Sequence, residues 1–203
     1  MVINLVPGEY SFSNEDYWGI RGFDWRANVY KEYAYVSVRD DYLLDVGFCP
    51  ITINGKGATI SLTGNEKYDD YHFAYVGKYG RLTLNDVTIK KFNTALYVTG
   101  NVYANSVTFC ENVILHRVAK GDYGGAFRSF GGSVYCDNVL FKDNRASSVD
   151  GHFTNDFYAD LSSHVEFKSG SNPQGYLKDS YLKSNSDCKS GIWLEGNCVY
   201  EEA

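Results

Sequence analysis

The chain has 203 residues, 44% of them hydrophobic, and a formal charge of −6. That is enough apolar material for one continuous core, and nothing demands a second domain. The acidic balance argues against nucleic acid or an anionic membrane as a partner, since both are bound through basic patches. No apolar run reaches the roughly 18 to 20 residues that a membrane-spanning helix needs, so no membrane insertion is expected. Helix formers are scarce, with one Met, whereas 18 Tyr, 12 Phe and 20 Gly supply short strands and tight turns, which predicts an all-β fold.

In chain order, Ile3-Asn4-Leu5-Val6-Pro7-Gly8-Glu9-Tyr10 lacks the basic and apolar regions of a signal peptide. An expressed domain of a surface protein would look the same, so location stays open on these grounds. Residues 1–49 read as an N-terminal cap and lead-in. Its stretch from Tyr17 to Phe48 is dense in aromatics, among them Trp18, Trp25, Tyr33 and Tyr42. Such a segment can cover the open end of a stack of strands, or offer aromatic platforms to a glycan or protein.

Residues 50–170 carry a repeat. Ile51-Thr52-Ile53-Asn54-Gly55 opens it, and the phrase returns as Asn85-Asp86-Val87-Thr88-Ile89, Asn105-Ser106-Val107-Thr108-Phe109, Asp137-Asn138-Val139-Leu140-Phe141 and Val165-Glu166-Phe167-Lys168. The irregular spacing suits strands joined by loops of varying length and predicts a parallel β-solenoid. Alternation within each phrase gives inward columns Leu82/Val102/Val134, Leu84/Ala104/Cys136, Val87/Val107/Val139/Val165 and Ile89/Phe109/Phe141/Phe167. Outward columns fall between them: Thr83/Tyr103/Tyr135, Thr88/Thr108/Leu140/Glu166 and Lys90/Cys110/Lys142/Lys168. Asn85 over Asn105, and Asn112 over Asn144, form structural ladders at turn positions where Asn tolerates left-handed geometry and its amide bonds along the stack. Further strands are expected at Phe73–Gly77, Ala95–Gly100 and Gly124–Gly131. Residues 171–203 hold the last turns of chain and a C-terminal cap, with Tyr181-Leu182 and Ile192-Trp193-Leu194 as strand candidates.

Gly124-Gly125-Ala126-Phe127 followed by Phe141-Lys142-Asp143-Asn144, with a second such spacing from Phe109 to Asn112, resembles the repeats of chlamydial polymorphic membrane proteins. It is similar too to the adhesin-like β-helix proteins of methanogenic archaea, and residues 50 to 168 carry the likeness. A second glycine phrase is degraded to Asp150-Gly151-His152-Phe153. The resemblance implies a right-handed parallel β-helix, an extracellular or cell-surface location, and adhesion to a glycan or surface protein.

Residues that would carry catalysis are sparse. Asp40-Asp41 and Asp69-Asp70 are carboxylate pairs by type only, since adjacent strand residues face opposite ways. Thr154-Asn155-Asp156 and Gly151-His152 do not complete a polygalacturonase-like set. Arg128 with Asp122 and Asp156 is the remaining lyase-like combination. The histidines at 72, 116, 152 and 164 share no spacing, and no oxygen-rich calcium loop or zinc-type cysteine spacing occurs, so neither metal nor cofactor is expected. Of five cysteines, only Cys188 and Cys198 are close enough in sequence to suggest a local disulfide.

The resulting expectation is a non-catalytic binding domain. Its ligand-binding candidates are Tyr103 beside Tyr135, flanked by Thr83 and Tyr97, because tyrosine offers large amphipathic area at low entropic cost. A cross-strand pair that only stabilises the sheet is the structural alternative. A carbohydrate-active enzyme and a self-assembling homo-oligomeric subunit are the other functional readings.

Overall fold

The computed structural model describes residues 1–13, 42–63, 71–115, 124–147, 153–154, 156–160, 162–168, 170–171, 182–183, 191–194 and 197–201. Within them the fold is all-β, built from largely parallel sheets and no helix. In the first sheet, Val2–Asn4 and Glu9–Ser13 pair with the long strand Pro50–Thr63, which pairs with Arg81–Lys90. Asn101–Asn105 and Thr108–Cys110 follow, then Ser133–Asp137 and Leu140–Lys142, then His164–Phe167 and Gly191–Leu194, all parallel. Asn197–Glu201 closes this order antiparallel.

The second sheet stacks Tyr42–Val46, His72–Val76, Leu96–Val98, Phe127–Ser129, Phe157–Asp160 and Leu182–Lys183, again in parallel. A third pairs Val113–Leu115 with Arg145–Ser147, and adds Phe153–Thr154 antiparallel. From Tyr42 onward the chain alternates between the second and first sheets, so each pass lays one strand beside its predecessor in both. Of the lead-in, Val2–Asn4, Glu9–Ser13 and Tyr42–Val46 are strands of these sheets, whereas the aromatics from Tyr17 to Tyr35 lie outside the described residues.

Alternation sets what faces inward. Leu82, Val102 and Val134 are in register, as are Leu84, Ala104 and Cys136; all are buried within one apolar cluster. Ile60, Ile89, Phe109 and Phe141 make a second inward column, in which Phe109 stacks on Phe141 with ring centroids 5.8 Å apart. Like residues recur because each position meets its counterpart one strand away, where side chains of matching shape fill space without voids.

The structure corrects the register of the fourth phrase. Val165 lies beside Val134 and Phe167 beside Cys136, not beside Val139 and Phe141. Glu166 accordingly adjoins Tyr135 rather than Leu140, and Lys168 reaches Asp137, at 3.9 Å. The valine-x-phenylalanine pattern fits either inward half of a pass, so hydrophobic alternation alone does not choose between them. The turn chemistry is shifted as well. At the bends beside the ladders the left-handed residues are Asp86, Ser106 and Asn138, each directly after a ladder position, and Lys91, Glu111 and Asp143, each directly before Phe92, Asn112 and Asn144. The ladder asparagines therefore flank the bends and leave the left-handed geometry to their neighbours.

Candidate functional site

On the outer side of the first sheet two columns run across four strands: Arg81, Asn101, Ser133 and His164, and beside them Thr83, Tyr103, Tyr135 and Glu166. The strands are in register, so side chains recur at the interstrand distance of about 4.8 Å. Tyr103 and Tyr135 stack with centroids 4.9 Å apart and planes 11° from parallel. The Arg81 guanidinium sits 4.4 Å from the Tyr103 ring centre, and the His164 ring lies 5.5 Å from Tyr135. His164 and Glu166 approach to 3.8 Å. Asn101 and Ser133 are short, which leaves room for both tyrosines to lean between Arg81 and His164.

This row uses its own ring faces. One face of Tyr103 meets the guanidinium and the other meets Tyr135, a cation–π contact and an offset stack that both favour the ordered arrangement. Ring edges, guanidinium, imidazole and carboxylate are what the row turns outward. A second aromatic pair stands nearby at the corner between the second and first sheets. Phe48 and Tyr79 stack at 5.9 Å and remain 77% and 68% exposed, with Lys78 Nζ 5.7 Å from the Tyr79 ring centre. Tyr79 is two residues from Arg81, so the corner leads onto the row.

Tyr97 belongs elsewhere. It lies on the second sheet, in register with Tyr75 and Arg128, and the Arg128 guanidinium sits 4.4 Å from its ring centre. Tyr42, Tyr75 and Phe130 surround it at 6.3, 5.4 and 5.4 Å. The sequence grouping of Tyr97 with Tyr103 fails because a bend and a change of sheet separate them. Arg81, His164, Glu166, Phe48 and Tyr79 are not among the sequence candidates. The first three become visible only once Arg81 is counted one alternation before Thr83 and Val165 is set beside Val134.

The ladder asparagines serve the scaffold. Outside, Asn54 donates to Asn4, Asn85 to Asn54 and Asn105 to Asn85, each amide bond 2.8 Å long; Asp137 takes the next position. Inside, Asn112 donates to the Ile89 carbonyl at 3.1 Å and to Asn144 Oδ1 at 2.9 Å, while accepting from the Phe92 amide at 3.0 Å. Asn144 in turn donates to the Phe109 carbonyl at 2.9 Å and to Asp156 at 3.1 Å. Both residues are buried, and these bonds satisfy backbone groups that the bend takes out of the sheets.

The other chemical candidates fall into structural settings. Asp156 is buried against Asn144, and Arg128 is held over Tyr97; Asp122, His116, His152 and the paired aspartates lie outside the described residues. His72 is buried, its Nδ1 donating to the Thr94 carbonyl at 2.7 Å. Cys49, Cys110 and Cys136 are free thiols. Cys110 shares the column of Lys90 and Lys142 yet is buried rather than exposed, and burial pushes its thiol above the usual range. The Cys136 thiol is pushed up more strongly by the same cause. Lys90 bonds Glu111 at 3.2 Å, which raises its own pKa. The suggested Cys188–Cys198 pairing lies outside the described residues. Among the described residues no three His, Cys, Asp or Glu side chains are grouped to hold a metal ion, and no helix is long and apolar enough to cross a membrane.

No protein-family model matches the chain. Neither a curated protein sequence nor a solved structure matches it.

Proposed function

We propose that the chain is a right-handed parallel β-helix of the adhesin-like kind, working outside the cell or at its surface, and that its first-sheet face binds a glycan. The winding follows from strands that return in parallel through crossover connections, which are right-handed in about 98% of cases. The observation that carries the binding reading is the row Arg81, Tyr103, Tyr135, His164 and Glu166 across four adjacent strands. Its outward groups are donors and acceptors at fixed spacing, suited to the hydroxyls of an extended sugar chain. The exposed Phe48–Tyr79 rings at the neighbouring corner supply apolar faces for stacking. Rigid strands hold the row in place, and the aromatic pair sits on short bends between paired strands, which limits the ordering cost of binding.

The test is binding of the purified chain to an immobilised panel of neutral and acidic polysaccharides and to whole cells. Tyr103→Ser with Tyr135→Ser is expected to abolish adhesion while leaving circular dichroism nearly unchanged. Full retention would refute the assignment of this row. Turnover of a polysaccharide that disappeared on Arg128→Ala or Asp156→Asn would replace the binding reading with an enzymatic one, and adhesion to protease-treated cells would separate a glycan from a protein partner.

A further inference from the structure

We infer that the sheet edge formed by Val2–Asn4 and Glu9–Ser13 is a homotypic interface, at which a second copy of this chain pairs antiparallel about a two-fold axis near Pro7 and Gly8. Among the described strands these two pair on one side only, with Pro50–Thr63. In that pairing the Met1 and Gly8 carbonyls accept from Thr52 and Thr59, and the Leu5 amide donates to Asn54. By the alternation of a parallel ladder, the backbone groups of Val2, Asn4, Glu9 and Ser11 then point toward the open edge. Edges of this kind template pairing with another chain unless they are blunted.

Apolar exposure concentrates there. Met1, Val2 and Val6 are exposed, and the Met1 nitrogen donates to the Pro50 carbonyl at 2.7 Å. The inward residues Ile3, Leu5, Tyr10 and Phe12 are only partly buried, although their neighbours Ile53, Ile60 and Leu62 are buried. The outer asparagine ladder also ends here, with Asn4 Oδ1 accepting from Asn54 and its amide nitrogen at the head of the column.

The edge is complementary to itself when read in reverse. A two-fold between residues 7 and 8 sets Asn4 opposite Ser11 of the second copy, so that two outward-pointing polar residues exchange backbone bonds. The same operation sets Ile3 opposite Phe12 and Leu5 opposite Tyr10, joining inward apolar residues to inward apolar residues. Parity matches along the whole edge, as an isologous contact requires, and polarity matches at these three pairs, while Val2 falls opposite Ser13 and Val6 opposite Glu9. From Val2 to Ser13 the edge is about 40 Å long at roughly 3.3 Å per residue, and a sheet layer is about 10 Å deep. The resulting face of roughly 400 Å² is half the roughly 800 Å² per partner of a standard interface, which fits a reversible dimer rather than an obligate one.

Sedimentation velocity of the full chain in a Cys49→Ser background tests this, over concentrations from about 1 to about 300 μM, the range in which a contact of micromolar affinity dissociates. A concentration-dependent dimer is expected, weakened at least about tenfold by Val2→Asp with Val6→Asp, which sets a carboxylate opposite Glu9 of the second copy, and unchanged by Leu140→Asp on another face. An equimolar mixture of Asn4→Cys and Ser11→Cys chains should form an intermolecular disulfide under mild oxidation, whereas Asn4→Cys alone should not, being about seven residues, or roughly 23 Å, out of register with itself. A monomer across the whole range would overturn the inference. So would a dimer indifferent to the Val2→Asp and Val6→Asp substitutions, or cross-linking by Asn4→Cys alone. None of these readouts involves a glycan, so failure here leaves the sugar-binding row untouched.

Discussion

Asn144 Oδ1 accepts two bonds from Asn112, from its side-chain amide at 2.9 Å and from its backbone amide at 3.2 Å. The two residues are buried, and between them they satisfy the Phe92 amide and the Ile89 and Phe109 carbonyls. Removing the Asn112 side chain leaves the Phe92 amide and the Ile89 carbonyl unpaired in the interior, each costing about 1–3 kcal/mol. Asn112→Ala is therefore expected to destabilise the fold by about 3 kcal/mol or more in urea titration. Asn105→Ala, in the exposed ladder, should cost about 1 kcal/mol or less.

Gly125 explains why the glycine phrase and the asparagine phrase travel together. A Cβ at this position would fall on the Asn112 carbonyl oxygen, and would stand 2.7 Å from the Arg145 nitrogen and 2.9 Å from the Asn144 Cβ. The first two are backbone atoms that cannot step aside. Its own carbonyl meanwhile accepts from Ala95 at 2.9 Å, so the strand cannot retreat without breaking the second sheet. Gly125→Ala should lower the melting temperature by about 4–8 °C or more, taking at least about 2 kcal/mol at roughly 2–4 °C per kcal/mol for a domain of this size. Gly57→Ala provides the contrast: nothing lies within 4 Å of its Cβ position, and only its φ of +80° resists substitution.

Neighbouring residues of one strand should respond in opposite ways to the same substitution. Val107 and Phe109 are buried in the apolar cluster, whereas Thr108 lies between them on the outer column beside Thr88 and Leu140. A lone carboxylate in the interior costs several kcal/mol against a total stability of about 5–15 kcal/mol. Val107→Asp and Phe109→Asp should yield aggregated or unfolded protein, and Thr108→Asp a cooperative melt close to that of the parent chain.

The inward columns were legible because period-two alternation is a local property, visible in each phrase on its own. Phase between phrases is not local. Val165-Glu166-Phe167 fits two positions within a pass equally well, and only the chain length between Phe141 and Val165, together with the bends that consume it, decides that it lies beside Val134. The place of Tyr97 is hidden for a related reason, since a bend at Thr99 and Gly100 carries the chain to another sheet before Tyr103. Arg81 carries no signal in the sequence because a guanidinium over a ring depends on register between strands, not on any motif within one.

The revised register makes Glu166 the next position in the tyrosine column, one strand beyond Tyr135. Glu166→Tyr should extend the stack and stabilise the fold by about 0.5–1 kcal/mol, the value of an aromatic pair beyond simple burial. A double-mutant cycle with Tyr135→Ala isolates that contact. Coupling indistinguishable from zero would return Glu166 to the column of Leu140.

Thiol burial sets an alkaline limit. Cys136 lies inward beside Ala104 and Phe167, and desolvation raises its pKa well above the ordinary 9.0. A raised value in the folded state means that the fold favours the neutral thiol. Its contribution is complete below the unfolded value and is lost as pH climbs above it toward the folded one, at about 1.4 kcal/mol per pH unit. Cys136→Ala should therefore start less stable at pH 7, through the lost packing of an inward side chain. Between pH 9 and about 10.5 it should lose about 2 kcal/mol less than the parent. Lysine and tyrosine titrations affect both proteins alike and cancel in the difference, so urea midpoints at the two pH values suffice. Native-state alkylation at pH 8 should follow the same burial, with exposed Cys49 modified before buried Cys136. Cys136 alkylated as fast as Cys49 would mean that position 136 does not face the interior.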